Sequence, residues 1–328
     1  MPFRLALGEP VDKGLRCIVK EEIESAIAHL RKDDDSLRGD GIHEARKSIK
    51  KTRAIVRLLM PGLGAAGFRD NRALRDAGRA LSKLRDAAAL IETVEVLSDR
   101  YFADPAMEQL SVVRSALRRN LEDTVRSEDI RTVIGGAVAA LKTVRKRVSK
   151  WQIAGGGFAA IAPGLDATYR RGRKRLRQAE ADPTSENLHD LRKRIKDHWY
   201  HVRLLDGPWR LTLNGGFASR DKELRELQEW LGDDHNLTVL RDAIQADPDS
   251  FGGKKNVPAV VELIATAQRE LRKQALAGAA RIYGNKPKLH LQETGEAWDL
   301  WQGTTSVPKP LAAIQPASTV KKRRGSAA

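Results

Sequence analysis

The sequence predicts an all-α protein built from two related helical bundles, and three observations lead there. Apolar residues recur at three- and four-residue spacing almost without interruption up to about residue 285, the period of a helix that buries one face. The breaks in that pattern are short and rich in Gly, Pro and Asp, as turns between helices are. An internal repeat then divides the chain: "IHEARKSIKKTRAIVRLL" (42–59) aligns without gaps on "LHDLRKRIKDHWYHVRLL" (188–205), and "LSKLRDAAAL" (81–90) aligns on "LGDDHNLTVL" (231–240) at nearly the same offset.

Taken in order, segments 11–32, 41–60, 68–99, 106–122 and 127–151 read as the helices of the first half. "MPGLGAAGF" (60–68) and "FADPAM" (102–107) read as turns. "IAGGGFAAIAPG" (153–164) reads as a linker, because its glycines lack the Gly-Lys-Ser/Thr ending of a phosphate-binding loop. Helical patterns resume at 165–181, 186–205, 217–247 and 256–283, separated by "DPTSE", "DGPW" and "DPDSFGG". From Gly284 the periodicity is lost, so residues 286–328, ending in "PASTVKKRRGSAA", read as a disordered basic tail. The folded unit is accordingly placed at 5–285, with a first half at 5–152, the linker at 153–164 and a second half at 165–285.

Composition narrows the function. A single cysteine, Cys17, excludes an internal disulfide framework and fits a reducing compartment. No uninterrupted apolar stretch approaches the ~18 residues of a membrane span, and the first residues lack the apolar core of a secretory signal, so the cytoplasm is the expected address. The 59 basic residues outnumber the 43 acidic ones, giving a formal net charge of +16 and pointing to a polyanionic partner.

The charge is arranged, not scattered. On a helix advancing about 100° per residue, His43, Arg46, Lys50, Arg53 and Arg57 fall within an arc of about 80°, beside an apolar face of Ile42, Ala45, Ile49 and Val56. At about 1.5 Å per residue that basic face is roughly 21 Å long, more than a single phosphate or nucleoside triphosphate needs. The second copy keeps His189, Arg192, Lys196 and Arg203 on the same arc, with Trp199 at the counterpart of Arg53. Arg72, Arg75 and Arg79 repeat the spacing, with Lys83 nearby; the partner segment keeps Lys222 and Arg225 but has Glu229 and Asp233 where Arg79 and Lys83 stand. That edge of the second half is expected to bind anions more weakly. Two further basic runs flank the linker: "LKTVRKRVSK", with Lys142 and Arg145, and "YRRGRKRLRQ", with Arg170, Arg173, Lys174 and Arg177 on one face. Arginine's planar fork can hold two phosphate oxygens at once, and lysine adds a mobile point charge. A histidine beside phosphate gains proton affinity.

Catalytic signatures are weak. His198 and His201 are three apart on a helix, without a convincing third metal ligand, and "DDHN" (233–236) could at most attend a phosphate-borne Mg²⁺. No nucleophile elbow and no paired acids in an apolar setting occur. The sequence therefore calls for no enzyme activity, no cofactor and no metal.

The paired "H-x-x-R-K-x-I-K" blocks, the "LRDAAAL" and "LGDDHNL" echoes and "YRRGRKRL" resemble the CHAD family, the conserved histidine α-helical domain, over roughly residues 5–285. The resemblance implies two four-helix bundles related by a pseudo-two-fold axis, with a basic surface or channel at their junction. It also implies binding of inorganic polyphosphate and association with polyphosphate granules. On the family pattern His43, Arg46, Lys50, Arg53 and Arg57 carry over in the first half, and His189, Arg192, Lys196 and Arg203 in the second, with Arg173 and Lys174 from the helix before it. Lys47 and Lys193 lie inside the same blocks. Trp199 and Asn236 depart from the pattern, the latter at the counterpart of Asp86, an acid expected to orient neighbouring arginines. Members of the family often accompany a triphosphate-tunnel domain; its strand of alternating Glu is absent here, so the chain reads as the binding module alone. Two competing readings remain: a nucleic-acid-binding protein, disfavoured by aromatics at only 5%, and an adaptor recruiting a granule-associated protein, with no membrane partner in either.

Overall fold

Helix α1 (Val11–Leu30) buries Leu15, Ile18, Val19, Ile23, Ala26 and Leu30 on one face, as their three- and four-residue spacing dictates. Its partner α2 (Arg38–Arg100) is a hairpin: helical hydrogen bonding runs up to and away from Gly64, whose backbone (φ 52°, ψ −130°) is not helical. The positive φ suits glycine, which has no Cβ to clash there. The two arms return antiparallel, with Arg53 donating to Asn71 at 3.2 Å and Arg46 to Ser82 at 2.9 Å. The turn expected over 60–68 is thus confined to the surroundings of one residue. In the computed structural model residues 3–32, 38–127, 130–211 and 216–303 are described.

Helices α3 (Met107–Ser127) and α4 (Ile130–Val148) complete the first bundle. A 3₁₀ turn at Gly157–Ala160 then leads into α5 (Ala162–Ala181), α6 (Ser185–Leu204), α8 (Gly216–Ala246) and α9 (Gly253–Ile282), the second bundle, with a one-turn α7 (Asp206–Trp209) between α6 and α8. Thr184 caps α6: its side chain accepts from the Asn187 N–H at 3.3 Å. The chain is all-α among the described residues, and no described helix is long and apolar enough to cross a membrane.

Each of the two apolar cores draws on both bundles. The near core joins α1, α2 up to Leu81 and α4 to α5, α6, α8 up to Leu231 and the C-terminal part of α9. The far core joins Val94 and Leu97 at the end of α2, and Leu110 and Val113 of α3, to Leu240 of α8 and Ile264 of α9. One long helix, α9, serves both cores, contributing Val260 to Leu271 to the far one and Ala275 to Ile282 to the near one. In the first bundle α3 and α4 divide that task. The bundles therefore meet at two ends, and the space between those ends is flanked by α2, α6 and α8.

The predicted disordered tail needs correction. Residues from Pro287 to Gly303 form α10, which buries His290, Thr294, Ala297, Trp298 and Trp301. Thr294 donates to the His290 carbonyl at 2.7 Å, and the His290 ring stacks on Tyr169 at 3.9 Å. Packing of those rings, not charge, fixes the segment; the rest of the tail, with Lys321 to Arg324, lies outside the described residues.

At the near junction the two bundles touch backbone to backbone. A Cβ added at Gly164 of α5 would stand 1.8 Å from the Leu58 carbonyl oxygen of α2. Across the same contact, the His201 ring donates from Nε2 to the Ala54 carbonyl at 3.0 Å. Gly164→Ala is expected to destabilise the fold by about 3 kcal/mol, because backbone cannot yield as a side chain can. Urea unfolding should show this, while Gly62→Ala, whose added Cβ would have its nearest neighbour 3.7 Å away, stays within about 1 kcal/mol of the parent.

Candidate polyanion-binding channel

Two cavities run together between the bundles. The larger, of about 640 Å³, and its neighbour, of about 430 Å³, share Arg46, Lys50, Ser82, His189, Arg192 and Lys196 on their walls. They form one channel, walled by both arms of α2 on one side and by α6 and α8 on the other. The helix spacing of the basic arc puts its side chains there, since its apolar neighbours Ala45, Ile49 and Val56 are buried in the near core.

Positive charge is crowded to an extent that shifts proton affinities. The smaller cavity is lined from α2 by Arg46, Lys50, Arg53, Arg57, Arg75 and Arg79. From α6 come Arg192, Lys193, Arg194 and Lys196, against a single carboxylate among the described residues, Asp197. Burial, with Arg192 and Arg46 close by, holds the Lys196 ammonium down to about 7. Burial likewise draws Arg53 down to about 10, with Arg57 adding to the shift. The Arg192 guanidinium is also lowered by burial, and its Nε is buried without a hydrogen-bond partner among the described residues. The rings of His189 and His235 lie 4.1 Å apart, and burial holds each at about 4, so both are neutral near pH 7. Lys196 and the Nε of Arg192 are donors without an acceptor among the described residues.

Asp197 is the counterweight. Its Oδ1 accepts from Arg57 at 2.5 Å, and its Oδ2 lies 3.2 Å from Arg194. The carboxylate thereby ties the first bundle to the second across the channel floor. On the other wall Trp199 donates from its indole N–H to Asp221 at 2.8 Å and carries the Arg203 guanidinium over its ring at 5.1 Å. The residue that departs from the basic pattern thus positions a basic neighbour.

The channel gathers most of the residues picked from sequence: His43, Arg46, Lys47, Lys50, Arg53, Arg57, Arg75, Arg79, His189, Arg192, Lys193, Lys196, Arg203 and Arg225. It does not gather the others. Arg145 pairs with Glu24, Arg170 with Asp166 and Lys222 with Glu226, while Arg173 donates to the Asn285 carbonyl. Arg72, Lys142, Lys174 and Arg177 are exposed outside the channel walls. The described residues of the α4 and α5 runs thus form no part of the channel wall, whereas Arg72 and Lys222 stand one turn beyond Arg75 and Arg225, which do. The side chains of Lys83 and Asp86 lie outside the described residues. His198, weighed for a metal, packs instead against Tyr169, Tyr283 and His290. Sequence reasoning missed Lys51, Arg194, His235 and Asp197 as wall residues; Lys51, Arg194 and Asp197 stand off the basic arc of their helices, and His235 follows two acids that masked it.

Fold and channel together define an all-helical protein of two bundles around a polycationic cleft. The family model for the CHAD domain matches residues 21–245, and the chain belongs to that family, which is associated with polyphosphate-related proteins. Among solved structures it is similar to PptA from Streptomyces chartreusis, at 13% identity and a TM-score of 0.50, over 88% of this chain and 100% of that one. It is also similar to the CHAD domain from the plant Ricinus communis, at 16% identity and a TM-score of 0.47, over 90% of this chain and 96% of that one. By sequence it matches no curated protein.

Lys196 gives the unliganded channel a measurable signature. An amine whose folded pKa of about 7 lies below its ordinary ~10.4 is protonated more in the unfolded chain between those values. Stability should therefore rise with pH across about 7 to 10 and be insensitive to this group below 7. Lys196→Met is expected to unfold at higher urea than the parent at pH 6.5, by about 1–3 kcal/mol, with the difference vanishing by about pH 10.

Proposed function

We propose that this protein binds inorganic polyphosphate in the channel, as a binding module and not a catalyst, and that this binding brings it to polyphosphate granules. The observation that carries the reading is the two facing rows, Arg46, Lys50 and Arg53 on α2 and Arg192 and Lys196 on α6, with Asp197 as the one acid on that stretch of wall among the described residues. A phosphate at every turn of such a row is held by arginine forks and lysine point charges at once. Release of the polymer's counterions adds to the affinity and makes it salt-dependent. Length matters as well: the α2 row alone extends roughly 21 Å, so a long chain engages more cations than a short one.

Nucleic acid is the competing polyanion, and the aromatic groups of the channel do not favour it. Trp199 is tied to Asp221 and covered by Arg203, and the Tyr200 ring is buried, so neither offers a free face for stacking a base. Recruitment of a partner protein to granules is compatible with the proposal and would use surfaces outside the channel.

Long-chain polyphosphate should bind with a log–log salt slope of about −0.7 for each phosphate neutralised. Reversing Arg46, Lys50 and Arg53 together to Glu should weaken binding more than 100-fold, on the order of 1 kcal/mol or more per charge. Reversing Lys142, Lys174 and Arg177, which lie outside the channel, should leave it within about threefold. Equal losses from the two triple variants, tighter binding of DNA at equal phosphate concentration, or no binding at low salt would each sink the proposal.

The pH dependence has a definite sign. Bound phosphate favours the charged form of Lys196, whose pKa in the free protein is about 7, so complex formation takes up a proton above that pH. Affinity should fall between about pH 7 and 9, and Lys196→Arg should flatten the fall, as read by titration calorimetry in buffers of different ionisation enthalpy.

A further inference from the structure

One end of the channel opens into a cavity of different chemistry, about 170 Å³ in volume. The two share Glu92, Thr93, Asp233 and Asn236, so a ligand in one can extend into the other. Leu97, Leu237, Ala267 and Leu271, all buried, make its apolar floor, at the place where α2, α8 and α9 meet in the far core. Its polar groups stand at the rim. Arg100 there is engaged, paired with Glu270 at 2.9 Å and lying over the Tyr101 ring, and Thr93 donates to the Ala89 carbonyl. The side chains of Asp233 and Asn236, by contrast, make no hydrogen bond among the described residues.

Charge along the channel constrains what can sit at this end. Glu92, Glu229 and Asp233 line the mouth, beyond the rows of α2 and α6. A phosphate chain laid on those rows meets acids here, so whatever continues it must be uncharged or cationic. It must also present apolar faces to the leucine floor and N–H donors to Asp233 and Asn236. Burial and Glu229 push the Asp233 carboxyl up, a cost that N–H donors would relieve. A nucleobase has these properties: two apolar faces and an edge carrying N–H groups. Guanine offers a carboxylate two parallel N–H donors, and adenine offers its amine. An apolar cavity with a few convergent polar groups is the usual form of a small-molecule site.

We propose that this cavity is a base pocket, and that the protein binds purine nucleoside polyphosphates with the base between the leucine floor and Asp233 and the phosphates on Arg192, His189 and His235. The proposal rests on the reading of the channel as a phosphate site and adds to it a ligand with a head group. Asp233 lies within electrostatic reach of Arg192, which joins the two regions.

Titration calorimetry with GTP, ATP and inorganic tripolyphosphate separates the two readings, because all three carry the same phosphate chain. GTP and ATP should bind at least about tenfold more tightly than tripolyphosphate. Asp233→Asn should weaken both nucleotides by about tenfold and leave tripolyphosphate unchanged or tighter, since an acid at the mouth is lost. Val96→Trp, on the exposed wall of the cavity, should remove the nucleotide advantage without affecting tripolyphosphate. Nucleotides no tighter than tripolyphosphate, or Asp233→Asn moving all three ligands in the same direction, would overturn the base pocket and leave the channel reading intact. Nucleotide binding with no affinity for tripolyphosphate or longer chains would overturn the channel reading alone.

Discussion

Repulsion between two walls of positive charge is the constraint that the rest of this structure answers to. Arg46, Lys50 and Arg53 on α2 and Arg192 and Lys196 on α6 line the same space, and like charges at such range oppose the folded state. Apolar contact at both ends opposes the separation of the walls. At the near end Gly164 admits α5 onto the backbone of α2, and His201 reaches across to Ala54. At the far end α3 and the end of α2 share a core with α8 and α9, and Glu270 accepts from both Arg100 and Tyr101. Between the two ends Asp197, almost wholly buried, takes Arg57 from one bundle and Arg194 from the other. A charge pair of this kind contributes little net stability against an apolar alternative, but it fixes which arginines face which.

That arrangement keeps the site assembled before any ligand arrives. Lys196 and Arg192 sit where burial disfavours their charge, and His189 and His235 are stacked close together in neutral form. Each would be better accommodated beside an anion, so the gain on binding includes relief of a cost already borne in the free protein. Little side-chain ordering remains to be done at that moment, which is where preorganised sites gain affinity. The same reasoning makes the channel the least stable part of the fold in its own terms, with the two cores supplying the stability that it lacks.

Much of this was legible in the sequence, and the failures are instructive. The helical period, the repeat and the basic arc of His43 to Arg57 required only spacing, because each is a local property of one helix. Asp197 was illegible because its partner Arg57 is 140 positions away in the chain, and pairing across a bundle leaves no periodic trace. The runs around Arg145 and Arg170 looked like extensions of the site, yet each is answered by an acid, Arg170 by Asp166 one turn away and Arg145 by Glu24 of α1, 121 positions distant. Helix α10 was overlooked for another reason. Its buried positions 290, 294, 297, 298 and 301 have a helical spacing, but two of them are His and Thr, which read as polar until the Tyr169 ring and the backbone carbonyl that satisfy them are known.

The repeat also explains why a symmetric fold has an asymmetric channel. The α2 and α6 walls have kept their basic residues in register, from His43 and His189 through Lys50 and Lys196. Along the second arm of α2 and its counterpart α8 the copies have diverged: Arg79 faces the cavity from one, and Glu229 and Asp233 line the mouth from the other. Two like halves would give a groove that a polyanion could enter from either end and slide along. Among the described residues the other cavity has only Asp197, paired with Arg57 and Arg194, so the acids of the mouth remove that equivalence: a uniform polyanion gains nothing by advancing toward Glu229 and Asp233. The divergence of α8 therefore gives the channel a direction, and a chain lying in it has a distinguishable terminus.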